Sequence, residues 1–132
     1  MKPGVYVHVP FCEQRCYYCA FTVVVAPERT HDSYIKRLLR EIELSQYNEP
    51  PGTIFFGGGT PSLIAAHFIK QIVAALPKSA GEISIEVNPG TLNKEKLESY
   101  SAAGINRISL GVQSFNDEDL KNAGRLHSAA DA

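Results

Sequence analysis

The 132-residue sequence predicts an α/β fold in which short β-strands alternate with α-helices. Four short apolar stretches have the composition of strands, and each is followed by a stretch with the periodicity or the capping residues of a helix. No linker, low-complexity tract or charge run interrupts this alternation. Four such units at this spacing are typical of a βα barrel or of a doubly wound sheet.

The first unit opens with "VYVHV" (residues 5–9), in which valines alternate with more polar residues as in a strand. A loop holding all of the cysteines follows, and then a helix for which Asp32 is the predicted cap. The apolar face of this helix comprises Tyr34, Ile35, Leu38, Leu39 and Ile42.

The second unit begins with "TIFF" (residues 53–56), which has the composition of a short buried strand and ends in "GGGTPS". Thr60 and Pro61 suit the cap and the first position of a helix, and the apolar run from Leu63 to Leu76 follows them. The third unit pairs the alternating strand "ISIEV" (residues 83–87) with a helix. Asn93 is predicted to open this helix, and Gly104 to end it in a left-handed conformation.

The fourth unit places a strand at residues 108–113 and a helix start at "FNDEDL". Phe115 is expected to staple onto Leu120 around the capping residue Asn116, and Gly124 offers an end. No fifth strand follows in "LHSAADA". Because four βα units cannot close a barrel and an open sheet leaves an edge unpaired, we expect residues 1–132 to be the amino-terminal part of an incomplete core domain.

The two faces of the predicted strands differ in polarity. One face is branched and apolar throughout, which suits contact with helices. The other face carries Tyr6, His8, Ser84, Glu86, Ser109, Gly111 and Gln113. Glu86 and Gln113 come late in their strands, and the active sites of βα folds lie at that end. We therefore expect a site at this rim; the alternative is that both side chains only hydrogen-bond to neighbouring backbone.

Composition excludes several classes of function. The formal net charge is −1 and no basic block is present, which argues against a nucleic-acid surface. The apolar stretches are too short for a membrane span, and the start of the chain lacks the apolar core of a signal peptide. An odd number of cysteines, all within one short loop, disfavours a disulfide framework, so the chain is predicted to work in a reduced, cytoplasmic setting.

Cys12, Cys16 and Cys19 have the spacing Cys-x3-Cys-x2-Cys. Zinc modules usually offer two ligand pairs separated by a longer stretch, although His8 or His31 could complete a Cys3His site. Three thiolates suit a four-iron cluster that keeps one iron open for an exogenous molecule. The cluster is the favoured hypothesis, with a zinc site and unligated thiols as alternatives. The aromatic residues expected to shield such a cluster from solvent are Phe11, Tyr17, Tyr18 and Phe21.

The segment "GGGTPS" (residues 57–62) follows a strand and opens a helix, so a nucleotide-binding loop is one interpretation. Residue 62 is serine where a dinucleotide fingerprint has its last glycine, and the Gly-Lys-Ser/Thr of a P-loop is absent. Glycines here would let the main chain approach a ligand closely. A tight strand-to-helix turn is the alternative.

The segment "CEQRCYYC" resembles the signature of the radical S-adenosylmethionine superfamily, including Tyr18 directly before the last cysteine. The resemblance implies a 4Fe-4S cluster held by the three cysteines, with S-adenosylmethionine chelated by the free iron. It also implies that the βα units belong to a partial (β/α)6 TIM-like barrel, truncated after about four units.

Longer segments resemble the anaerobic coproporphyrinogen III oxidase family of that superfamily. They are "YVHVPFC", "FFGGGTPS", "EISIEVNPGTL", "GINRISLGVQSF" and "GRLHS", which together cover nearly the whole chain in the family's order. The resemblance implies that S-adenosylmethionine is contacted by Tyr6, Tyr18, Gly58, Gly59, Thr60, Glu86, Gln113 and Arg125. Without it, Arg125 is predicted to be a solvated charge at a helix end, and His127 a surface histidine.

Phe21 distinguishes two branches of the family. The pattern of the anaerobic oxidase branch has a further cysteine two residues after the third cysteine, and this chain has Phe21 at that position. The Cys-x-Phe pattern of this chain resembles the heme chaperone branch instead. The resemblance therefore implies a protein that binds heme or a porphyrin and passes heme to an acceptor protein. Oxidative decarboxylation of coproporphyrinogen III is the alternative, and a zinc-binding module is the alternative of another class. No catalytic residue is assigned.

Overall fold

A computed structural model of the protein describes residues 2–78 and 81–132. Those residues form the strands β1 (Gly4–Val9), β2 (Thr53–Gly58), β3 (Ile83–Val87) and β4 (Arg107–Leu110). They also form the helices α1 (Glu28–Leu44), α2 (Ala66–Ala75), α3 (Lys94–Ala103) and α4 (Asp117–Asn122), with short 3-10 turns at Pro61–Leu63 and Ala129–Asp131. The alternation of strand and helix confirms the predicted α/β class.

The strands form one parallel sheet in the order β1-β2-β3-β4. Its register aligns Tyr6 with Phe55, Phe55 with Ser84, and Ser84 with Arg107, so the side chains of one face stand in rows across the strands. Because the strands are parallel, their carboxyl ends meet at one edge of the sheet. Within the described residues β4 pairs only with β3, as expected for a sheet that has not closed into a barrel.

The apolar face of the sheet forms the core against α1, α2 and α3. Val7, Phe56 and Ile85 are buried at the centre of their strands, whereas Tyr6 on the opposite face is exposed. The two faces predicted from the alternation are thus confirmed for β1 and β3. The fourth strand differs, because all four of its residues are exposed and it ends at Leu110, before residues 111–113 of the predicted strand. An edge strand with a neighbour on one side only has less surface to bury.

The predicted start of the first helix is wrong, and that of the second is partly confirmed. Helix α1 begins at Glu28 after Pro27, so Asp32 lies within the helix, where it pairs with Lys36 at 2.7 Å on the solvent side. Thr60 and Pro61 do occupy the cap and first position of a helical turn, but this is the short 3-10 turn Pro61–Leu63, and α2 begins only at Ala66. Pro27 precedes α1 with φ −59°, and its carbonyl accepts from the amide of Thr30 at 2.8 Å, so the helix starts without a side-chain cap.

The other predicted caps are confirmed, but the hydrophobic staple is wrong. The side chain of Asn93 accepts a hydrogen bond from the amide of Lys96, and Gly104 ends α3 with φ +98°. Asn116 caps α4 in the same way. Phe115, however, is 79 % exposed, whereas Leu120 is buried, so the two side chains do not form a staple.

Tyr100 of α3 is buried at 1 % exposure, and its hydroxyl has no hydrogen-bond partner among the described residues. We expect Tyr100→Phe to raise the free energy of unfolding by about 1 kcal/mol, because the variant no longer buries an unpaired polar group. Urea denaturation measures this change. The control is Tyr34→Phe, which removes a hydroxyl that donates to the carbonyl of His8 at 2.7 Å and should lower stability by about 1 kcal/mol.

Stability at alkaline pH gives a second test of the Tyr100 hydroxyl, because burial raises the pKa of Tyr100 from 10.0 to about 12. The neutral phenol is the form that the fold favours. Its contribution to stability is therefore complete below pH 10 and is lost as pH rises towards 12. The wild type should lose more stability over this range than Tyr100→Phe. Equal alkaline losses, or a variant less stable at neutral pH, would contradict the assignment.

Candidate functional site

The loops that follow the four strands surround one cavity of about 340 Å³ at the carboxyl edge of the sheet. This position follows from the parallel order of the strands, which brings distant segments to the same edge. The residues of the predicted site that line the cavity are Cys12, Cys16, Tyr18, Cys19, Gly58, Gly59, Thr60, Glu86, Gln113 and Arg125.

Tyr6 flanks the cavity without lining it. Its hydroxyl lies 3.0 Å from Nδ1 of His8, and its ring stacks on Phe55 with 6.2 Å between centroids. Burial, and secondarily the Glu86 carboxylate, raises the pKa of Tyr6, so the phenol stays neutral at physiological pH. His8 is held on its other side, where Nε2 lies 3.2 Å from the carbonyl of Thr22. These contacts place Tyr6 and His8 on the β1 side of the site.

The cysteine loop is anchored at its base and at its tip. At the base, the amide of Cys12 donates to the carbonyl of Val24 at 3.0 Å. At the tip, Nε2 of Gln14 donates to the carbonyl of Gly124 at 2.8 Å. Gly124 has φ +73°, and a Cβ built on it would lie 3.3 Å from the ring of Tyr17. The tip of the cysteine loop therefore contacts Gly124, two residues beyond the end of α4.

Two of the cysteine sulfurs accept hydrogen bonds from the wall of the cavity. Oγ1 of Thr60 donates to Sγ of Cys12 at 3.5 Å, and Nη1 of Arg125 donates to Sγ of Cys16 at 3.4 Å. Burial raises the pKa of the Cys12 thiol, while the Thr60 hydrogen bond and the Arg125 charge act in the opposite direction. At Cys12 both of these groups therefore favour the thiolate, which is the form that binds metals.

The surroundings of the cysteines lack the histidine of a Cys3His site. In residues 2–78 and 81–132, no group of three or more His, Cys, Asp and Glu side chains is arranged to hold a metal ion. Neither His8 nor His31 lines the cavity. His31 is instead buried in α1 against the ring of Phe11, 4.2 Å between centroids. The structure thus gives no support to the Cys3His alternative, whereas three separate thiols around one cavity fit the separate iron corners of a 4Fe-4S cluster.

The expected aromatic shield is only partly present. Tyr18 and Phe21 line the cavity, as predicted. Phe11 belongs to the hydrophobic core, and Tyr17 is 79 % exposed on the far side of the loop. These two predictions are wrong because Phe11 packs against Tyr34 of α1 and Tyr17 lies against Gly124, so neither ring faces the cavity.

The glycine loop is built for contact with the cysteine loop. The amide of Gly59 donates to the carbonyl of Val9, and that of Thr60 donates to the carbonyl of Phe11, each at 2.8 Å. A Cβ on Gly59 would lie 2.7 Å from the carbonyl oxygens of Pro10 and Phe11. The close approach that requires glycine is therefore between two backbone segments. A phosphate site needs free amides, and the amides of Gly59 and Thr60 already donate to backbone carbonyls. The loop therefore suits a ligand that donates hydrogen bonds, such as an ammonium group.

Arg125 and His127 are not the surface residues that the sequence predicts. Nη2 of Arg125 donates to the carbonyl of Gly111 at 2.7 Å. His127 is buried, and its Nε2 donates to the carbonyl of Val112 at 3.0 Å. The two side chains hold the main chain that leads into Gln113, which has φ +71°. A left-handed conformation is unusual outside glycine and marks a functional or constrained position.

Asn88 is a residue of the site that the sequence analysis missed. It lines the cavity and directly follows β3, in the segment "EVNPG". Its side chain hydrogen-bonds to Thr60 and to Arg125. A polar residue placed immediately after a buried parallel strand is the signal that could have identified it.

Comparison with protein families and known sequences gives consistent results. The family model described as the radical SAM superfamily matches residues 6–132. The heme chaperone HemW of Synechocystis sp. is 42% identical over 143 residues, covering 99% of this chain and 35% of that protein. HemW of Escherichia coli is 41% identical, with 98% of this chain and 36% of that protein covered. The chain thus spans about a third of the length of the curated relatives that it matches.

A solved structure agrees with these sequence comparisons. The coproporphyrinogen III oxidase HemN of Escherichia coli, described as a radical SAM enzyme, superposes with a TM-score of 0.86 at 31% identity, covering 96% of this chain and 32% of that one. The four-stranded parallel sheet corresponds to the amino-terminal part of its TIM-like fold, which confirms the predicted architecture. The family match, which covers almost every residue of the chain, shows that this protein belongs to the radical SAM superfamily.

Proposed function

We propose that residues 1–132 are the amino-terminal part of the radical SAM core domain of a heme chaperone. In this proposal Cys12, Cys16 and Cys19 hold a 4Fe-4S cluster, and S-adenosylmethionine binds at the iron that they leave open. The observation that carries the proposal is the meeting of the cysteines with residues from three further loops around one cavity. The kinship with proteins named heme chaperone HemW supports the choice within the superfamily.

Different side chains of the protein would hold the cluster and the cofactor. The cluster supplies electrons and an open coordination position when it is bound. Thr60 and Arg125 donate to the sulfurs of Cys12 and Cys16. Carbonyl groups of Gly58 and Gly59 would accept from the ammonium of the methionine part. Glu86 and Gln113 line the same cavity and would hydrogen-bond to the remaining polar groups, with Tyr18 and Tyr6 beside them.

The proposed ligand is heme or a porphyrin, with a heme-acceptor protein as partner, in a reduced cytoplasmic compartment. Phe21, which lines the cavity, supports the chaperone over an oxidase, because the fourth cysteine of the oxidase pattern is missing. Neither a nucleic acid nor a membrane is a proposed partner. No helix among the described residues is long and apolar enough to cross a bilayer. Oxidation of coproporphyrinogen III is the second candidate, which the likeness to HemN favours.

The test uses the full-length gene product, reconstituted anaerobically with iron and sulfide and then reduced. We expect about four iron atoms per chain and an EPR signal that changes when S-adenosylmethionine is added. We also expect added heme to be retained and coproporphyrinogen III to be left unchanged. Turnover of coproporphyrinogen III would favour the oxidase. A single colourless metal without sulfide, indifferent to S-adenosylmethionine, would overturn the proposal in favour of a zinc site.

A further inference from the structure

Asn88 joins the two side chains that donate to the cysteine sulfurs. Its Nδ2 donates to Oγ1 of Thr60 at 3.1 Å, and Thr60 donates in turn to Sγ of Cys12 at 3.5 Å. On the other side, Nη2 of Arg125 donates to Oδ1 of Asn88 at 3.0 Å, while Nη1 donates to Sγ of Cys16 at 3.4 Å. A continuous hydrogen-bonded chain therefore runs from one sulfur to the other, with Asn88 at its centre.

The hydrogen-bonded series between the two sulfurs requires an amide side chain at position 88. The guanidinium of Arg125 can only donate, so its partner atom on residue 88 must accept. The single proton of the Thr60 hydroxyl is directed at the sulfur of Cys12, so the other partner atom must donate. A carboxylate supplies only acceptors and an aliphatic side chain supplies neither. Asparagine is the short side chain that offers one acceptor and one donor side by side.

The backbone of Asn88 is itself held in place. Its amide donates to Oγ of Ser62 at 3.2 Å, and its carbonyl accepts from Oγ1 of Thr91 at 2.6 Å. A Cβ built on Gly111 would lie 3.2 Å from Oδ1 of Asn88, so a larger residue at position 111 would press on this side chain. A side chain fixed in this way can orient its neighbours without reorganising.

We propose that Asn88 is a positioning residue that aligns both sulfur donors and thereby sets the reduction potential of the cluster. The inference rests on the proposed function, since it concerns the cluster that the cysteines would hold. Hydrogen bonds to the sulfurs are among the main determinants of the potential of an iron–sulfur cluster. Reduction adds negative charge, so donors stabilise the reduced state more than the oxidised one. Loss of their alignment should shift the midpoint potential to more negative values.

The test is a double-mutant cycle in the full-length, reconstituted protein, with the midpoint potential followed by EPR during redox titration. Asn88→Leu keeps the shape of the side chain and removes both hydrogen bonds. We expect it to shift the potential negatively, and Thr60→Val to do the same. The double variant should shift by less than the sum of the two single shifts, because part of the effect of Asn88 passes through Thr60.

The matched control is Asn106→Leu. Asn106 is exposed near the opposite end of β3, and its side chain also makes two hydrogen bonds, to the amide of Ile83 and to the carbonyl of Gly81. This variant should lose stability without a change in potential. An unchanged potential in Asn88→Leu, or strictly additive shifts in the double variant, would overturn the inference while leaving the proposed function intact. Absence of any cluster in the wild type would overturn both.

A second substitution covers the case in which Asn88→Leu fails to assemble the cluster. Asn88→Ala removes the same two hydrogen bonds without placing a branched side chain beside Thr60 and Arg125. It should also shift the midpoint potential to more negative values. A folded Asn88→Ala protein with the wild-type potential, or failure of both variants to retain iron while circular dichroism shows the wild-type fold, would overturn the inference.

Discussion

Replacement of any one of Cys12, Cys16 and Cys19 by alanine should abolish the iron–sulfur cluster. Iron content is expected to fall from about four atoms per chain to nearly none, with loss of the EPR signal of the reduced protein. Each thiolate would ligate a different iron corner, so none can substitute for another. Among the described residues that line the cavity, Glu86 is the one other side chain of a common metal-ligand type.

The control for this prediction is Phe21→Ala. Phe21 belongs to the same loop, lines the same cavity and is 71 % exposed. Its loss should leave the iron content unchanged, because it supplies no ligand. Iron and sulfide analysis, together with circular dichroism of the cluster-free proteins, separates loss of ligands from loss of fold. A single cysteine variant that kept the full complement of iron and sulfide would show that the cluster is held elsewhere.

Replacement of Gly59 by alanine should have the second large effect, on both stability and cluster assembly. The added methyl group would lie 2.7 Å from the carbonyl oxygens of Pro10 and Phe11, which is closer than any tolerated contact. These atoms belong to backbone, so the segment that leads into Cys12 must move. We expect the free energy of unfolding to fall by about 1–3 kcal/mol and the yield of reconstituted cluster to fall with it.

Gly90→Ala provides the matched control, because glycine is needed at position 59 for space and at position 90 for its backbone conformation. Gly90 has φ +84°, but a Cβ built on it would meet nothing within 4 Å. Alanine there should lose about 1 kcal/mol from the left-handed backbone alone and leave the cluster yield unchanged. Urea denaturation and iron analysis compare the two variants. If Gly59→Ala assembled the cluster as well as Gly90→Ala, the close contact between the two loops would have no role in forming the site.

Local signals were sufficient where a residue acts within its own segment. The valines of β1 and the isoleucines of β3 alternate, and the structure confirms the buried face that they predict. Asn93 and Asn116 cap their helices because an amide oxygen can reach amides two or three residues ahead. Such interactions depend on spacing along the chain, which the sequence displays directly.

Local signals failed where a residue depends on a distant partner. Asn88 and Arg125 are 37 residues apart, yet one hydrogen bond joins them, and no spacing along the chain announces it. The same holds for His127, which the sequence predicts at the surface and which is buried beside the carbonyl of Val112. The prediction for Phe115 was also wrong. Its position before Asn116 suited a hydrophobic staple, but Phe115 is exposed whereas Leu120 is buried.

Residue types and their order were thus enough to establish the βα class, the three thiols of the cysteine loop and the inward direction of Glu86. Alternation along a strand and the pairing of parallel strands follow from backbone geometry alone. The connection between the sulfurs through Thr60, Asn88 and Arg125 arose only when the loops came together at the carboxyl edge of the sheet. Hydrogen bonds act over about 3 Å in space, whereas a sequence records only distance along the chain.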